Sequence, residues 1–150
     1  VLILDDGTSL PETMAICRYF DETKPEPALF GKGALERAMV EMWNRRMELG
    51  LLFCVAQVFR HLHPAMAQVE VPQVAAWGEA NKPRALEVLQ YMDEELGTRR
   101  YIAGADYSVA DITALVAVDF MKPARIARPE GLKNVARWHE EVSARPSAKA

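Results

Sequence analysis

Cysteine is scarce in this chain: Cys17 and Cys54 are the only two among 150 residues. Both fall in apolar helical stretches. That does not suggest a disulfide framework and reads as small core residues of a protein kept in a reducing compartment. Cations are not in excess either. Lys and Arg number 18 against 21 Asp and Glu, a formal net charge of −3, so nothing here is suited to neutralising a nucleic-acid backbone. No apolar run approaches the roughly 20 residues of a membrane span. Histidine occurs three times. The pair His61 and His63 looks like a metal motif, but residues two apart on a helix point in different directions. They read as helix-end surface residues, His139 has no evident partner, and no metal site is expected. Internal repeats and low-complexity tracts are absent. There is no initiator Met, and Val1 opens directly in an apolar strand, so a preceding portion is expected to be missing.

What is present is a soluble, half-hydrophobic composition with clear punctuation. Residues 1–9 read as two short strands around the turn Asp5-Asp6-Gly7. Glu12-Thr13 opens a helix that runs to Glu22. Residues 23–33, with two Pro and two Gly, form a linker. After it the pattern is wholly helical. Residues 34–63 form one long helix, with Leu35, Met39, Met42, Trp43, Met47 and Leu51 at three- and four-residue steps, ended by Pro64. A second helix spans 72–96, with a kink or break expected at Pro83. A third, from Ser108 to about Met121, is apolar in nearly every direction and so belongs in the middle of a bundle. A last helix covers 130–144, with Leu132, Val135, Trp138 and Val142 inward.

Two places carry chemistry. At Glu12-Thr13 a carboxylate and a hydroxyl stand at a helix N-terminus, where free backbone N–H groups already favour an anion. A zwitterion suits such a place, its ammonium on Glu12 and its carboxylate on Thr13 and the helix end. At Ser108-Val-Ala-Asp111 the spacing is that of a capping box, with Tyr107 and Ile112 as a hydrophobic staple. A buried helix start needs such a device to satisfy its N–H groups.

Asp6-Gly7-Thr8, Glu12-Thr13, Ala15-Ile16 and Arg18-Tyr19-Phe20 together resemble the segment of glutathione transferases that holds the γ-glutamyl end of glutathione, with Thr13 in place of the commoner Ser. Gly104, Ser108, Ala110 and Asp111 resemble the N-capping box of that family's central helix, whose role is folding. Trp138 and Ser143-Ala-Arg-Pro-Ser147 resemble its closing helix and turn. The resemblance covers the whole chain. It implies a mainly α architecture: residues 1–22 as the β-β-α end of a thioredoxin-like domain, a linker, and residues 34–150 as the all-helical C-terminal domain.

The resemblance further implies a cytosolic homodimer that conjugates the glutathione thiolate to electrophiles. Glutathione serves as co-substrate and no cofactor is needed. Glu12 and Thr13 would bind it. Trp43, Arg46, Met47, Gly50 and Leu51 would line the pocket for a hydrophobic electrophile. The Ser, Tyr or Cys that activates sulfur would lie in the missing N-terminal segment, so no catalytic residue is assigned. Two other readings share the fold. One is a non-catalytic binding module of the elongation factor gamma or stress-regulator type. The other is a glutathione-dependent isomerase, dehalogenase or peroxidase.

Overall fold

The computed structural model describes residues 1–149. Strands β1 (Leu2–Ile3) and β2 (Ser9–Leu10) pair antiparallel, Leu2 opposite Leu10 and Ile3 opposite Ser9. The turn between them follows from its residues. Asp6 Oδ1 accepts the Thr8 N–H at 2.8 Å, and Gly7 takes a φ of 84° that a side chain would strain. Helix α1 (Thr13–Thr23) follows, and none of its residues is buried. It meets the rest of the chain through Met14 and Cys17, which lie on a small cluster of Phe30, Val40 and Val109, and through Asp21, whose Oδ1 accepts the Leu29 N–H at 2.9 Å, and Arg18, which pairs with Glu41 at 3.1 Å.

Helices α2 (Gly33–Arg45) and α3 (Phe53–Leu62) are joined without a break by a π-helical segment, Arg46–Leu52, in which the Phe53 N–H bonds the Glu48 carbonyl five residues back. The expected single helix over 34–63 therefore forms, with a wider turn inside it. The reason lies in the spacing of the core residues. Trp43, Met47, Leu51 and Val55 are all buried and all four apart. Four-residue steps overshoot a 3.6-residue turn by about 40° each. The π turn absorbs part of that drift and keeps the row on one side.

Helix α4 (Ala75–Leu96) starts three residues later than expected and runs through Pro83 unbroken. Its start is fixed from α3, because His61 Nδ1 accepts the Val74 N–H at 3.1 Å. Gly78 lets the two helices meet, since a Cβ there would stand 2.7 Å from Leu62 Cγ. Helix α5 (Val109–Phe120) packs on α2, the π segment, α3 and α6 (Lys133–Ser143). It is central but not covered all round: Ile112 and Val116, one turn apart, are 38% and 51% exposed. Helix α6 buries Val135, Trp138 and Val142. Its first N–H groups are capped from α4, with Asp93 Oδ1 accepting from Asn134 N at 2.9 Å and Val135 N at 2.8 Å.

Candidate functional site

The α1 N-terminus is open. Glu12 is its N-cap residue, no side chain caps it, and its first turn holds no acidic residue. The first intrahelical bond after Glu12 is Ile16 N–H to Glu12 O, 3.0 Å. The N–H groups of Thr13, Met14 and Ala15 thus have no partner within the helix. Glu12 has a φ of 69° and ψ of 122°. A β-carbon in that region costs of order 1–3 kcal/mol, and such residues concentrate at ligand clamps. Glu12 is exposed and makes no side-chain hydrogen bond or ion pair among the described residues. The geometry holds a carboxylate, a hydroxyl and three amide donors free at one helix end, a set that takes up an ammonium and a carboxylate side by side.

Asp111 is the opposite case. It is fully buried. One oxygen accepts the Ser108 N–H at 2.9 Å and the Ser108 hydroxyl at 3.1 Å. The other accepts the Ile102 N–H and the Trp138 indole N–H, each at 2.9 Å. Burial pushes its carboxyl above the usual aspartate range, while the donors from Ile102, Trp138 and Ser108 pull the other way. The capping box is present, and it does more than cap: it ties the 101–103 loop, α5 and α6 together. Sequence spacing located Ser108 but gave no sign of Ile102 or Trp138.

Most of the set expected at the electrophile pocket lies inside the helical bundle of this chain. Trp43 is 3% exposed and Met47 and Leu51 not at all, so these three are core residues in this chain. Gly50 faces Val88 of α4, 3.4 Å from where its Cβ would be, which makes it a packing position. Arg46 alone of the set is exposed. Its Nη1 donates to the Tyr91 hydroxyl at 3.1 Å, and its guanidinium lies 4.7 Å over the Trp43 ring. The row Trp43–Val55 turns these side chains inward because α4 and α5 cover that side. The opposite phase of the same helix leaves Leu49 and Phe53 53% and 45% exposed.

Of the remaining candidates, Cys54 is buried with its thiol pushed up by desolvation, and Cys17 is half-buried. His63 Nδ1 accepts the Ala65 N–H at 3.2 Å, so both histidines of the His-x-His pair act as caps. His139 does have a partner, Asp119 Oδ1 at 2.7 Å, one helix away and invisible in sequence. Among the described residues no cluster of His, Cys, Asp and Glu has the makings of a metal site, and no helix is long and apolar enough to cross a membrane.

Residues 78–146 match the family described as "Glutathione S-transferase, C-terminal domain". Glutathione S-transferase 2 of Saccharomyces cerevisiae is 37% identical over 150 residues, which cover 99% of this chain and 64% of that protein. The chain thus spans just under two thirds of that relative's length. The crystal structure of Gtt2 from Saccharomyces cerevisiae superposes with a TM-score of 0.93 at 37% identity, over 99% of this chain and 72% of that one. A class Gtt2 glutathione S-transferase of Vibrio parahaemolyticus gives 43% identity and a TM-score of 0.87, over 99% and 70%.

Proposed function

The chain belongs to the glutathione S-transferase family, and from that premise we propose that the protein conjugates glutathione to electrophiles, with Glu12 and Thr13 holding the γ-glutamyl end. The observation that carries this reading is Glu12 itself, an exposed carboxylate kept at φ 69° beside an uncapped helix start. A residue that only began a helix would have no cause to retain that conformation. The α-ammonium of the ligand meets Glu12. Its α-carboxylate takes the Thr13 hydroxyl and the free N–H groups, with the positive end of the helix dipole adding to the attraction.

The chemistry is attack of the glutathione thiolate on an electrophilic carbon, favoured by lowering the thiol pKa. No residue of this chain is assigned to that step, and neither cysteine is suited to it. The electrophile is hydrophobic. It meets apolar side chains left uncovered in this chain, Leu49 and Phe53 on the helix that carries Arg46, and Ile112 and Val116 on α5. The reaction needs no cofactor, glutathione being the co-substrate, and fits a detoxifying role in the cytoplasm.

The protein acts as a homodimer in this reading, α1 of one subunit lying near the α2–α3 helix of the other. Leu35 and Met39, 78% and 37% exposed, supply apolar surface for that contact. Charge supports it less than the sequence promised, because Arg45 is already paired with Glu48 at 2.6 Å and Arg46 is bonded to Tyr91. Light scattering of the full-length protein at micromolar concentration should give twice the chain mass; a fully active monomer refutes the dimer. For the clamp, calorimetric titration of the full-length protein with glutathione is the test. Glu12→Ala should weaken binding tenfold or more, as expected for a charge-assisted hydrogen bond of about 1.5–3 kcal/mol. Unchanged affinity sinks the assignment.

A further inference from the structure

Among the described residues, two that are not glycine have positive φ, Glu12 and Arg125. The proposed clamp accounts for the first. Arg125, at 57°, closes the turn that follows α5, five residues past Phe120. There the Ile126 N–H bonds Met121 O at 2.9 Å and the Arg125 N–H bonds Lys122 O at 3.0 Å. These are the two bonds of a Schellman motif, with Arg125 at the left-handed position that Gly or Asn ordinarily fills. Ile126, 7% exposed, makes the apolar contact of the motif. The fold therefore needs the backbone angle at 125 and gives the guanidinium no hydrogen-bond, ion-pair or ring partner among the described residues.

The surroundings repeat the signal. Of the chain's Lys and Arg side chains, six make no hydrogen bond, ion pair or ring contact among the described residues: Lys24, Lys122, Arg125, Arg128, Lys133 and Lys149. Four of the six fall between 122 and 133. The negative end of the α5 dipole accounts for Lys122 and Arg125. It does not account for Lys133, which is the first residue of α6, where the positive end of a helix disfavours a cation. Nor does it account for Arg128, beyond the last turn of α5.

These residues line two clefts that share Arg128 as a wall. One, of about 520 Å³, holds Lys122, Arg125 and the apolar Val118, Met121 and Ile126. The other, of about 460 Å³, holds Lys133, His139 and the apolar Leu132, Val135 and Ala136. Each is of a size that takes a small organic molecule. The carboxylates on the walls are Asp119, already engaged by His139 at 2.7 Å, and Glu140. Glu130 lies between them in sequence, so four cations face three carboxylates, and in a chain of net charge −3 the surface keeps a local positive excess over an apolar floor.

We infer that the cleft between the end of α5 and the start of α6 binds a small phosphate-bearing anion, with Arg125 and Arg128 on the phosphates and the apolar floor under the body of the ligand. Guanidinium forks suit phosphate oxygens, and four unpaired cations call for a ligand of more than one negative charge. The phosphates could come from a free oligophosphate or from a nucleotide, and the probes separate the two.

The full-length protein is titrated calorimetrically with pyrophosphate and with ADP, at low and high salt. Saturable binding that weakens with salt is expected, as for any exposed charge contact. The double variant Arg125→Gly, Arg128→Gln should lose at least tenfold in affinity, and Lys24→Gln should lose none. Arg125→Gly alone should melt no lower than the parent, because glycine is the residue the left-handed position favours. ADP binding tighter than pyrophosphate assigns a nucleotide-like ligand with its base on the apolar floor; equal affinities assign the phosphates alone. Absence of saturable binding by either probe, full affinity in the double variant, or an equal loss in Lys24→Gln overturns the site.

Discussion

Glu12 and Asp111 are both acidic residues at helix N-termini, and they have opposite fates. Asp111 is buried and accepts four hydrogen bonds from three parts of the chain. Glu12 is exposed, accepts none, and sits on a strained backbone. One carboxylate is consumed by the fold and the other is withheld from it. The difference teaches how to tell an acid used by the fold from one left free to meet a ligand: by whether its lone pairs are already taken, and by which backbone it holds. Their neighbourhoods agree. Helix α5 buries seven of its residues, whereas α1 buries none.

Asp111→Ala should give the largest effect. It strands the N–H groups of Ile102, Ser108 and Trp138 in the interior, at about 1–3 kcal/mol each, so a stability loss above about 3 kcal/mol is expected. Activity per folded molecule should be kept. A variant that melted with the parent yet lost activity would make Asp111 a site residue and erase the contrast.

Glu12 should answer in the reverse sense. Glu12→Gly relieves the left-handed backbone and removes the carboxylate together. Stability should hold or rise while glutathione affinity falls about tenfold, or ~1.4 kcal/mol. Comparing Glu12→Ala with Glu12→Gly by thermal melts isolates the strain, because both lose the carboxylate and only alanine keeps a β-carbon. If the two melt alike, the strain argument for the clamp fails.

How much of this was legible beforehand depends on sequence distance. The helices were readable because their apolar steps repeat every three or four residues. The box at Ser108 and Asp111 was readable because its members are three apart. The clamp residues could be named from their types, but the strain at Glu12 could not, since nothing in the residue type betrays a positive φ. The burial of Met47 and Leu51 was not legible for another reason. Periodicity shows which residues share a face of a helix, not whether α4 and α5 cover that face, as they do here. Long-range partners such as Trp138 on Asp111 or His139 on Asp119 leave no local trace at all.

The smallest effect should come from a second carboxylate acting on the Asp111 loop, and its pH dependence sharpens the comparison further. Glu141 Oε1 accepts from the Tyr101 hydroxyl at 2.8 Å and from Arg100 Nε at 2.8 Å. The Tyr101 hydrogen bond, then Arg100, hold its carboxyl below the usual glutamate value of 4.5. A lowered native pKa means the folded state resists protonation more than the unfolded chain does. The Glu141 contribution is therefore present above pH 4.5 and lost as pH falls through the lowered native value. For Asp111 the sign is opposite. Its raised native pKa gives a contribution that is fullest below 3.8 and declines as pH rises through the native value. Glu141→Gln should then cost stability at neutral pH, by no more than about 1 kcal/mol for a pair this open to solvent, and cost nothing in acid. Asp111→Asn should cost more in acid than at neutral pH. Denaturant melts of both variants between pH 3 and 7 should give slopes of opposite sign against the parent. Parallel slopes would show that burial does not dominate at Asp111, and that the two carboxylates holding this loop are alike after all.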